Sequence, residues 1–329
     1  MFKVYCPEKI EQAGYDFLAA HGYEVVTGTS TQKEVLMREV ADAHAAVVRY
    51  GATFDADVLA AGKRLQIVAR HGVGYNNIDA DAAARLGIYV TNAKASNANA
   101  VAEHALTLIL LLAKKVPRYK NTLIQGKWSE RNETKTEEIR GKTLGVIGYG
   151  ANGSRLGDKG HSLGMRVICY DPYVDYTKLP DWTEGVSAAE DVFRQADVIS
   201  LHCPLNEDTY HYIAKREFEM MKPGAYLVNC ARGGLINEGD LYEALTNGSI
   251  AAAALDVFET EPPDPSTALF QLDNFYGTLH QGGMSAAASD ACALYAVQSV
   301  DDVLHGRMPK YPVNQPDMDL LKKRKDARI

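Results

Sequence analysis

The sequence predicts an α/β protein with two doubly wound parallel sheets, and three features predict this class. The 329 residues, 46% of them hydrophobic, exceed what a single-core domain usually holds. Short apolar or β-branched runs alternate with longer amphipathic segments, which is typical of βαβ units. These runs form two series, separated by a long helical segment at residues 98–115. We therefore expect two domains, with their boundary in or near this helix.

Short apolar runs are the predicted strands of both series. The strands of the first series are residues 3–6, 24–27, 45–49, 66–69 and 88–91. The strands of the second series are residues 144–147, 167–170, 198–201, 226–228, 251–255 and 275–278. An alanine-rich helix predicted at 286–304 could then return the chain to the first domain. The tail beyond it contains several prolines and is expected to be irregular, with a solvated basic run at 322–325.

The charge and the apolar pattern exclude several partners. The formal net charge of -7 repels nucleic acid and anionic lipid headgroups. The longest apolar stretch, residues 105–113, is too short to cross a bilayer, and residues 1–7 lack the pattern of a secretory signal. The five cysteines are widely spaced, without a Cys-x-x-Cys pair. We expect reduced cysteines, a cytoplasmic location, and neither a nucleic acid nor a membrane as partner.

A glycine pattern follows the predicted strand 144–147 and opens a helical segment. It reads Gly-Tyr-Gly-Ala-Asn-Gly at residues 148–153, and the positions predicted to contact a cofactor are Gly148, Gly150, Ala151, Asn152 and Gly153. The first glycine permits a tight turn, the second lets the backbone approach a pyrophosphate, and the third allows helix and strand to pack closely. The helix N-terminus supplies N–H donors to anionic oxygens. With a strand before it and a helix after it, the pattern predicts a dinucleotide site.

Asp171 directly follows the next predicted strand, 167–170, where a carboxylate can accept hydrogen bonds from the adenosine ribose. The same carboxylate would repel a 2′-phosphate, and no arginine follows immediately. NAD is therefore the expected cofactor rather than NADP. The alternative is that Asp171 only begins the Asp-Pro turn at 171–172.

Three more polar motifs follow strands of the second series, where open α/β sheets bind ligands. Arg232, within Asn-Cys-Ala-Arg-Gly-Gly at 229–234, could hold a carboxylate through two hydrogen bonds. It could equally cap a helix or pair with a surface acid. The acidic motif at 256–263 and His280 add a carboxylate and an imidazole. A carboxylate beside His280 would fix its tautomer, and a protonated imidazole could donate to a carbonyl oxygen during hydride attack.

Other enzyme classes fit the sequence less well. The Gly-Lys-Thr at residues 141–143 lacks the upstream glycine of a phosphate loop and precedes its strand. The sequence has no Gly-x-Ser-x-Gly elbow, and no close pair of His or Cys predicts a metal site. We expect neither a kinase, nor a serine hydrolase, nor a bound metal.

Several motifs in one order resemble those of the D-isomer-specific 2-hydroxyacid dehydrogenases, over almost the whole chain. They are residues 70–79, 101–104, 148–153 with Asp171, 202–205, 230–234, 254–261 and 280–283. The resemblance implies a flavodoxin-like substrate domain, residues 1–98 and 285–329, and a Rossmann NAD-binding domain, residues 99–284. It also implies a cleft between the two domains and a homodimer formed through the helix 98–115 and its surroundings.

The resemblance also implies roles for individual residues. Arg232 would bind and polarise the substrate, His280 would be the acid–base, and Glu261 would be its carboxylate partner. The further residues implied to contact the cofactor are His202, Cys203, Pro204, Cys230, Gly282 and, at the nicotinamide carboxamide, Asp256. Those implied to face the substrate are Val73 and Gly74, through backbone amides, and Arg49 and Asn97, which match the phosphoglycerate branch. Arg49 could equally be a solvated surface cation.

Two positions depart from the family pattern. Leu279 stands where a proline commonly precedes the catalytic histidine, and Ala151 stands where a basic residue is common. Neither removes a group that the chemistry needs, so the predicted activity is the NAD-dependent interconversion of a small 2-oxo acid and its D-2-hydroxy acid. Two alternatives stay open: an enzyme specific for D-3-phosphoglycerate, and an NAD-sensing, corepressor-like binding protein.

Overall fold

The computed structural model describes residues 1–133 and 135–326, which form two compact units. The first unit contains Met1–Asn97 and Met284–Ile329, and the second contains Ala98–Gly283. Each unit is built on one parallel sheet, so the predicted class of two parallel-sheet α/β domains is confirmed. Within the described residues, no helix combines the length and the hydropathy needed to cross a membrane.

The first unit contains a five-stranded sheet in the order β2-β1-β3-β4-β5. Its strands are β1 (Lys3–Cys6), β2 (Glu24–Thr27), β3 (Ala45–Val48), β4 (Ile67–Arg70) and β5 (Tyr89–Thr91). Its helices are α1 (Gln12–Ala20), α2 (Lys33–Glu39), α3 (Ala56–Ala61), α4 (Ala80–Arg85), α11 (Ala286–Leu304) and α12 (Met318–Asp326). This strand order is that of flavodoxin-like folds. Every residue of β3 is buried, as expected for a central parallel strand with both faces covered.

The second unit contains a seven-stranded sheet in the order β12-β11-β10-β9-β6-β7-β8. Its strands are β6 (Thr143–Ile147), β7 (Arg166–Tyr170), β8 (Thr183–Gly185), β9 (Val198–Leu201), β10 (Tyr226–Asn229), β11 (Ala252–Leu255) and β12 (Phe275–Gly277). Its helices are α5 (Ala98–Lys114), α6 (Val116–Ile124), α7 (Ala151–Ser162), α8 (Ala189–Gln195), α9 (Lys215–Met220) and α10 (Glu238–Asn247). The strand order reverses between β6 and β9, and such a switch point is where open α/β sheets bind ligands.

Three elements were not predicted from the sequence. The edge strand β8 has only three residues, and helix α6 begins at Val116, directly after α5. Pro117 lies in the first turn of α6, where proline is well tolerated. Helix α12 occupies the tail that was expected to be irregular.

The prediction of a solvated basic run is wrong at Arg324. Its guanidinium donates hydrogen bonds to the carbonyl oxygens of Leu86 and Gly62, both at 2.6 Å. Burial lowers the pKa of this arginine. The side chain of Lys325 lies outside the described part of the chain. A basic residue of the tail therefore ties α12 to the loops after α3 and α4.

Candidate active site

The glycine pattern forms the turn between β6 and α7. Gly148 has a φ of 88°, a left-handed conformation that favours glycine, and a Cβ there would lie 2.5 Å from the backbone nitrogen of Cys203. A Cβ on Gly153 would lie 2.1 Å from the carbonyl oxygen of Gly148. A Cβ on Gly150 would meet no described atom within 4 Å. The turn is therefore tightly packed at two glycines and open at the one predicted to face a pyrophosphate.

Helix α7 begins at this turn, with Gly150 as its N-cap. Ala151 and Asn152 are its first residues and are half-buried. The amides of a first helical turn have no acceptor within the helix, and the positive end of the helix dipole attracts anions. The open turn and this helix N-terminus together suit a phosphate group.

Asp171 is held beside the glycine turn. Its Oδ2 accepts a hydrogen bond from the backbone N–H of Tyr149 at 2.8 Å. Its Oδ1 accepts one from the backbone N–H of Tyr173 at 2.9 Å, so Asp171 also begins the Asp-Pro turn. The two interpretations from the sequence are therefore compatible, because each carboxylate oxygen keeps a second lone pair for a ribose hydroxyl.

His202, Cys203 and Pro204 follow β9, directly beside the glycine turn. The Nε2 of His202 lies 2.9 Å from the hydroxyl of Ser200, and burial lowers the pKa of His202 to about 4. Its imidazole is therefore neutral at pH 7. The backbones of His202 and Cys203 both lie against Gly148. This segment therefore packs against the glycine turn.

Two cysteines, Cys203 and Cys230, follow the neighbouring strands β9 and β10. Burial raises the pKa of Cys203 to about 11 and raises the pKa of Cys230, which directly follows β10. Both side chains are therefore neutral thiols at pH 7, which suits packing rather than nucleophilic chemistry.

Arg232 follows β10 and begins a 3-10 turn at Gly233–Leu235. The Nη1 of its guanidinium donates to the carbonyl oxygen of Ala231 at 2.7 Å. The ion pairs of the described residues do not include this arginine. A Cβ on Gly233 would lie 1.9 Å from the carbonyl carbon of Phe258, so only glycine fits. The loop that carries Arg232 therefore lies directly against the loop after β11.

Asp256 follows β11 and is 2% exposed. Its Oδ1 accepts hydrogen bonds from the hydroxyl of Thr278 at 2.5 Å and the amide of Gln281 at 2.9 Å. Its Oδ2 accepts one from the amide of Gly282 at 2.8 Å. Burial alone would raise the pKa of Asp256, but hydrogen bonds from His104, Thr278 and the two amides outweigh it and lower the pKa to about 2. This carboxylate is ionised, and it fixes the loop that contains His280.

His280 lies in that loop and forms a hydrogen-bonded pair with Glu261. The Nδ1 of His280 lies 2.7 Å from Oε2 of Glu261, and the side chains are 52% and 37% exposed. The backbone N–H of His280 donates to the carbonyl oxygen of Asp256 at 2.8 Å. The other carboxylate oxygen of Glu261 accepts from the amide of Phe258 at 3.1 Å. Since Nδ1 is engaged, Nε2 is the ring nitrogen that can exchange a proton with a ligand.

His280 also has a left-handed backbone, with a φ of 54°. This conformation is uncommon for a residue other than glycine and is consistent with a functional constraint. Leu279, which replaces the usual proline, is 82% exposed. It precedes the strained residue without being anchored in the core.

One residue of this site, His104, had no role of its own in the sequence analysis. His104 lies on α5, and its Nε2 is 3.0 Å from the hydroxyl of Thr278 and 3.3 Å from Oδ1 of Asp256. His104 belongs to the segment 101–104, which supported the resemblance but suggested no contact. Its position could not be found from spacing, because α5 and β12 are far apart in the sequence.

The loop of Glu261 is also fastened to α10. The amide of Glu238 donates to Oε1 of Glu259 at 2.8 Å, and the amide of Glu259 donates to Oε1 of Glu238 at 2.7 Å. Burial raises the pKa of Glu238, and the charge of Glu259 adds to this effect. This reciprocal pair holds the chain two residues before Glu261.

The residues predicted to face the substrate lie in the first unit. Arg49 follows β3, and its Nη1 is 3.7 Å from Oε1 of Glu11 and 3.1 Å from the carbonyl oxygen of Lys9. Val73 and Gly74 lie in the loop after β4, where both are half-buried. Arg49, Val73 and Gly74 thus follow adjacent strands of the same sheet.

Two asparagines, Asn77 and Asn97, differ in their position relative to these strand ends. Asn77 supports the loop of Arg49, because its side chain donates to the carbonyl oxygen of Arg49 at 2.7 Å. Asn97 is half-buried and is the last residue before α5, outside this loop. The structure therefore groups three of the four predicted residues on neighbouring strand ends and places Asn97 at the end of the first segment of the unit.

The second unit brings its predicted residues to one edge of its sheet. The glycine turn, Asp171 and His202 follow β6, β7 and β9, and Arg232, Asp256 and His280 follow β10, β11 and β12. In the part of the chain that the structure describes, no cluster of three His, Cys, Asp or Glu side chains could hold a metal ion. The glycine turn, which suits a dinucleotide, therefore lies at one end of this edge. Arg232 and the pair of His280 with Glu261 lie at the other end.

A doubly wound sheet with an open glycine turn at its switch point defines a dinucleotide-binding protein. Comparison with known families narrows this class. The sequence profile described as "D-isomer specific 2-hydroxyacid dehydrogenase, NAD binding domain" matches residues 106–282, more than half of the chain. The chain belongs to the D-isomer specific 2-hydroxyacid dehydrogenase family, as its motifs predicted, and NAD is confirmed as the cofactor of the matched domain.

Individual relatives agree with this assignment. The chain is 38% identical over 317 residues to a D-3-phosphoglycerate dehydrogenase of Archaeoglobus fulgidus, covering 96% of this chain and 60% of the relative. It is 37% identical over 301 residues to a hydroxypyruvate reductase of Thermotoga maritima, covering 91% and 97%. It therefore spans about 60% of the length of the first relative but nearly all of the second.

Solved structures show the same fold. The D-lactate dehydrogenase of Lactobacillus jensenii with NAD+ superposes with a TM-score of 0.83 and 26% sequence identity. The match covers 95% of this chain and 100% of the other. A likeness that includes both sheets indicates that the family fold extends beyond the NAD-binding part.

Proposed function

We propose that this chain is an NAD-dependent oxidoreductase that interconverts a small 2-oxo acid and its D-2-hydroxy acid. The observation that carries the proposal is the 2.7 Å contact between Nδ1 of His280 and Oε2 of Glu261, on the same sheet edge as the glycine turn. Bound NAD supplies the hydride acceptor or donor for the C2 carbon. An imidazole with its Nδ1 held by a carboxylate is suited to exchange a proton through Nε2 with the substrate oxygen.

Two further residues of the second unit support this chemistry. Arg232 has a backbone carbonyl as its hydrogen-bond partner, so most of its donors can grip a substrate carboxylate and polarise the adjacent carbonyl. Asp256 is ionised and holds the His280 loop, and among the described residues its Oδ2 accepts one hydrogen bond, from Gly282. We propose that this oxygen accepts a hydrogen bond from the nicotinamide carboxamide, while His202, Cys203, Pro204 and Cys230 line the cofactor.

We also propose that the first unit acts as the substrate domain. Val73 and Gly74 lie in the loop after β4, where their backbone amides could bind a carboxylate. Arg49 and Asn97 are proposed to face the remainder of the substrate. Replacing Gly74 with proline, which removes one amide, is expected to raise KM for the 2-oxo acid more than it lowers kcat.

The proposed reaction is tested by following NADH oxidation with a panel of 2-oxo acids: glyoxylate, hydroxypyruvate, pyruvate, 2-oxoisocaproate and 3-phosphohydroxypyruvate. His280→Ala is expected to lower kcat about 10²- to 10⁴-fold, the usual contribution of acid–base catalysis. The matched control is His21→Ala, which removes an exposed histidine of the first unit. NADH binding without turnover of any acid would favour the corepressor-like alternative.

A phosphorylated substrate is the second candidate, because several similar relatives are named D-3-phosphoglycerate dehydrogenase. It predicts that 3-phosphohydroxypyruvate is the preferred member of the panel. It also predicts that Arg49→Ala abolishes this preference while it changes the turnover of an unphosphorylated acid little.

We further propose a homodimer formed through α5 and its surroundings, which include α6. Its support is a group of exposed apolar side chains after α5: Val116, Leu123, Ile124 and Trp128, which are 56%, 58%, 74% and 63% exposed. Exposed apolar clusters commonly mark interfaces. Light scattering is expected to give the mass of a dimer, and Ile124→Glu is expected to weaken it. Leu163→Glu, at another exposed apolar residue of this unit, is the control.

A cytoplasmic location is proposed from the cysteines. All five are free, and four of them are buried. Thiols of this kind persist in a reducing compartment. Rapid alkylation of the denatured protein from its cells is expected to modify all five thiols, and a disulfide in that sample would contradict the proposal.

A further inference from the structure

An acid lies among the cations at the carboxyl edge of the first sheet. Glu11 is the N-cap residue of α1, but its carboxylate makes no hydrogen bond to that helix. Instead Oε2 contacts Nε2 of His71, and Oε1 lies 3.7 Å from Nη1 of Arg49. The side chains of Glu11 and Arg49 are 22% and 24% exposed, so water screens their pairing less than it screens a surface ion pair.

His71 leaves the negative charge of Glu11 for Arg49 to balance. The His71 side chain is 4% exposed, and burial lowers its pKa although Glu11 opposes this effect. The imidazole is therefore neutral at pH 7 and donates its Nε2 hydrogen to Glu11. The charge of Arg49 is thus compensated within the first unit, and one of its donors is also used by the carbonyl oxygen of Lys9.

The neighbouring arginine is engaged as well. Arg70 donates from Nη1 to the carbonyl oxygens of His71 and, at 3.4 Å, Val48. Burial lowers its pKa, and the charge of Glu8 partly offsets this effect. Glu8 in turn accepts hydrogen bonds from the loop that follows Arg49. Both arginines of this edge therefore have an acid nearby.

We propose that Glu11 is a specificity-determining residue that makes the chain favour unphosphorylated 2-oxo acids over their phosphate esters. The inference rests on the proposed function, with the carboxyl edge of this sheet facing the substrate. A phosphate ester carries up to two negative charges and needs a free cation. To supply one, Arg49 would have to leave Glu11, whose charge would then repel the ester. A hydroxyl or methyl substituent meets neither obstacle.

The unaltered chain gives the first test. Hydroxypyruvate and 3-phosphohydroxypyruvate differ only by the phosphate, so the ratio of their kcat/KM values reports the selectivity directly. We expect at least about a tenfold preference for hydroxypyruvate. The phosphate of the ester would lack a charge-assisted bond to Arg49, and one such bond is worth at least that factor. A preference for the phosphate ester would overturn the inference without any variant.

Glu11→Gln gives the second test, because glutamine keeps the size of the side chain and removes its charge. Freed from Glu11, Arg49 should raise the relative kcat/KM for the phosphate ester about tenfold. The double variant E11Q/R49Q should lose this gain. Glu24→Gln is the matched control, because it removes the same charge at the start of β2, on the opposite edge of the sheet.

The outcomes separate the two proposals. Reduction of hydroxypyruvate with an unchanged substrate ratio in E11Q would overturn the role of Glu11 and leave the proposed reaction standing. Failure of the unaltered chain to reduce any 2-oxo acid would contradict both the proposed reaction and the role of Glu11. The thermal midpoint of E11Q checks its folding, and Glu11→Ser, which removes the same charge, is the second variant if E11Q is unfolded.

Discussion

The molecule contains two histidine–glutamate pairs, one in each unit. His71 and Glu11 meet where β4 ends, and their side chains are 4% and 22% exposed. His280 and Glu261 meet after β12, and their side chains are 52% and 37% exposed. Both pairs join an imidazole to a glutamate carboxylate, through Nε2 in His71 and through Nδ1 in His280. The difference in exposure separates an imidazole enclosed by its own unit from one that a ligand can reach.

Burial explains why the two pairs suit different tasks. An enclosed imidazole is held neutral, because a charged ring would lose its hydration, and it donates one hydrogen bond within the fold. An exposed imidazole can gain and lose a proton on each turnover, with the carboxylate holding its other nitrogen. A His–Glu contact alone therefore does not identify an active site, and the solvent access of the free ring nitrogen has to be considered with it.

The largest expected effect comes from breaking the exposed pair. Glu261→Gln keeps the shape of the side chain and an acceptor for the amide of Phe258, but removes the charge beside His280. We expect kcat for the preferred 2-oxo acid to fall about 10²-fold or more, as when an acid–base residue loses its partner. The thermal midpoint should change little, since both side chains are partly exposed.

Glu184→Gln is the control for this prediction. Glu184 lies on the edge strand β8 and pairs with Arg166 at the surface, so its loss removes the same charge from the same unit. Loss of stability in E261Q with unchanged kcat would mean that the exposed pair is structural, and the comparison would fail.

The fold was predictable because parallel strands with both faces buried are nearly continuous apolar runs. β9 and β11, for example, contain only buried residues, and both were found from the sequence. β8 was missed because its three residues include Glu184 and Gly185, which suit only an edge. Helix α12 was missed because its polar sequence has little apolar periodicity, and contacts such as those of Arg324 hold it in place.

The candidate site was predictable where one residue follows one strand. The glycine turn, Arg232 and His280 could be located because side chains that follow parallel strands collect at one edge. The contacts that hold these side chains in place, made by residues distant in the sequence, were not predictable. His104 comes from a helix that is distant in sequence, and the pairing of Glu11 with His71 joins α1 to β4. Such contacts depend on how helices pack over a sheet, which no short motif records.

A smaller effect is expected from breaking the buried pair. His71→Ala removes the donor to a largely enclosed carboxylate and leaves a cavity at the end of β4. We expect the free energy of unfolding to fall by about 2 kcal/mol, since an unsatisfied charged group is costly. Chemical denaturation measures the change, with His21→Ala as the exposed control. An equal loss in both variants would show that burial does not distinguish these histidines.

The smallest expected effect is a change in how stability depends on pH. Burial lowers the pKa of His71 below its ordinary value of 6.5, so the unfolded chain binds more protons than the folded chain just below that pH. The contribution of neutral His71 to the free energy of unfolding is therefore present above about pH 6.5. It is lost as the pH falls toward the pKa that His71 has in the folded chain. His71→Gln should consequently lose less stability than the unaltered chain between pH 7 and pH 5.

His44→Gln is the matched variant, because burial also lowers the pKa of His44. The dependence of its stability on pH should become flatter in the same direction. Parallel slopes for the unaltered chain and His71→Gln would mean that the imidazole can charge without cost, and the distinction between an enclosed and an accessible pair would lose its physical basis.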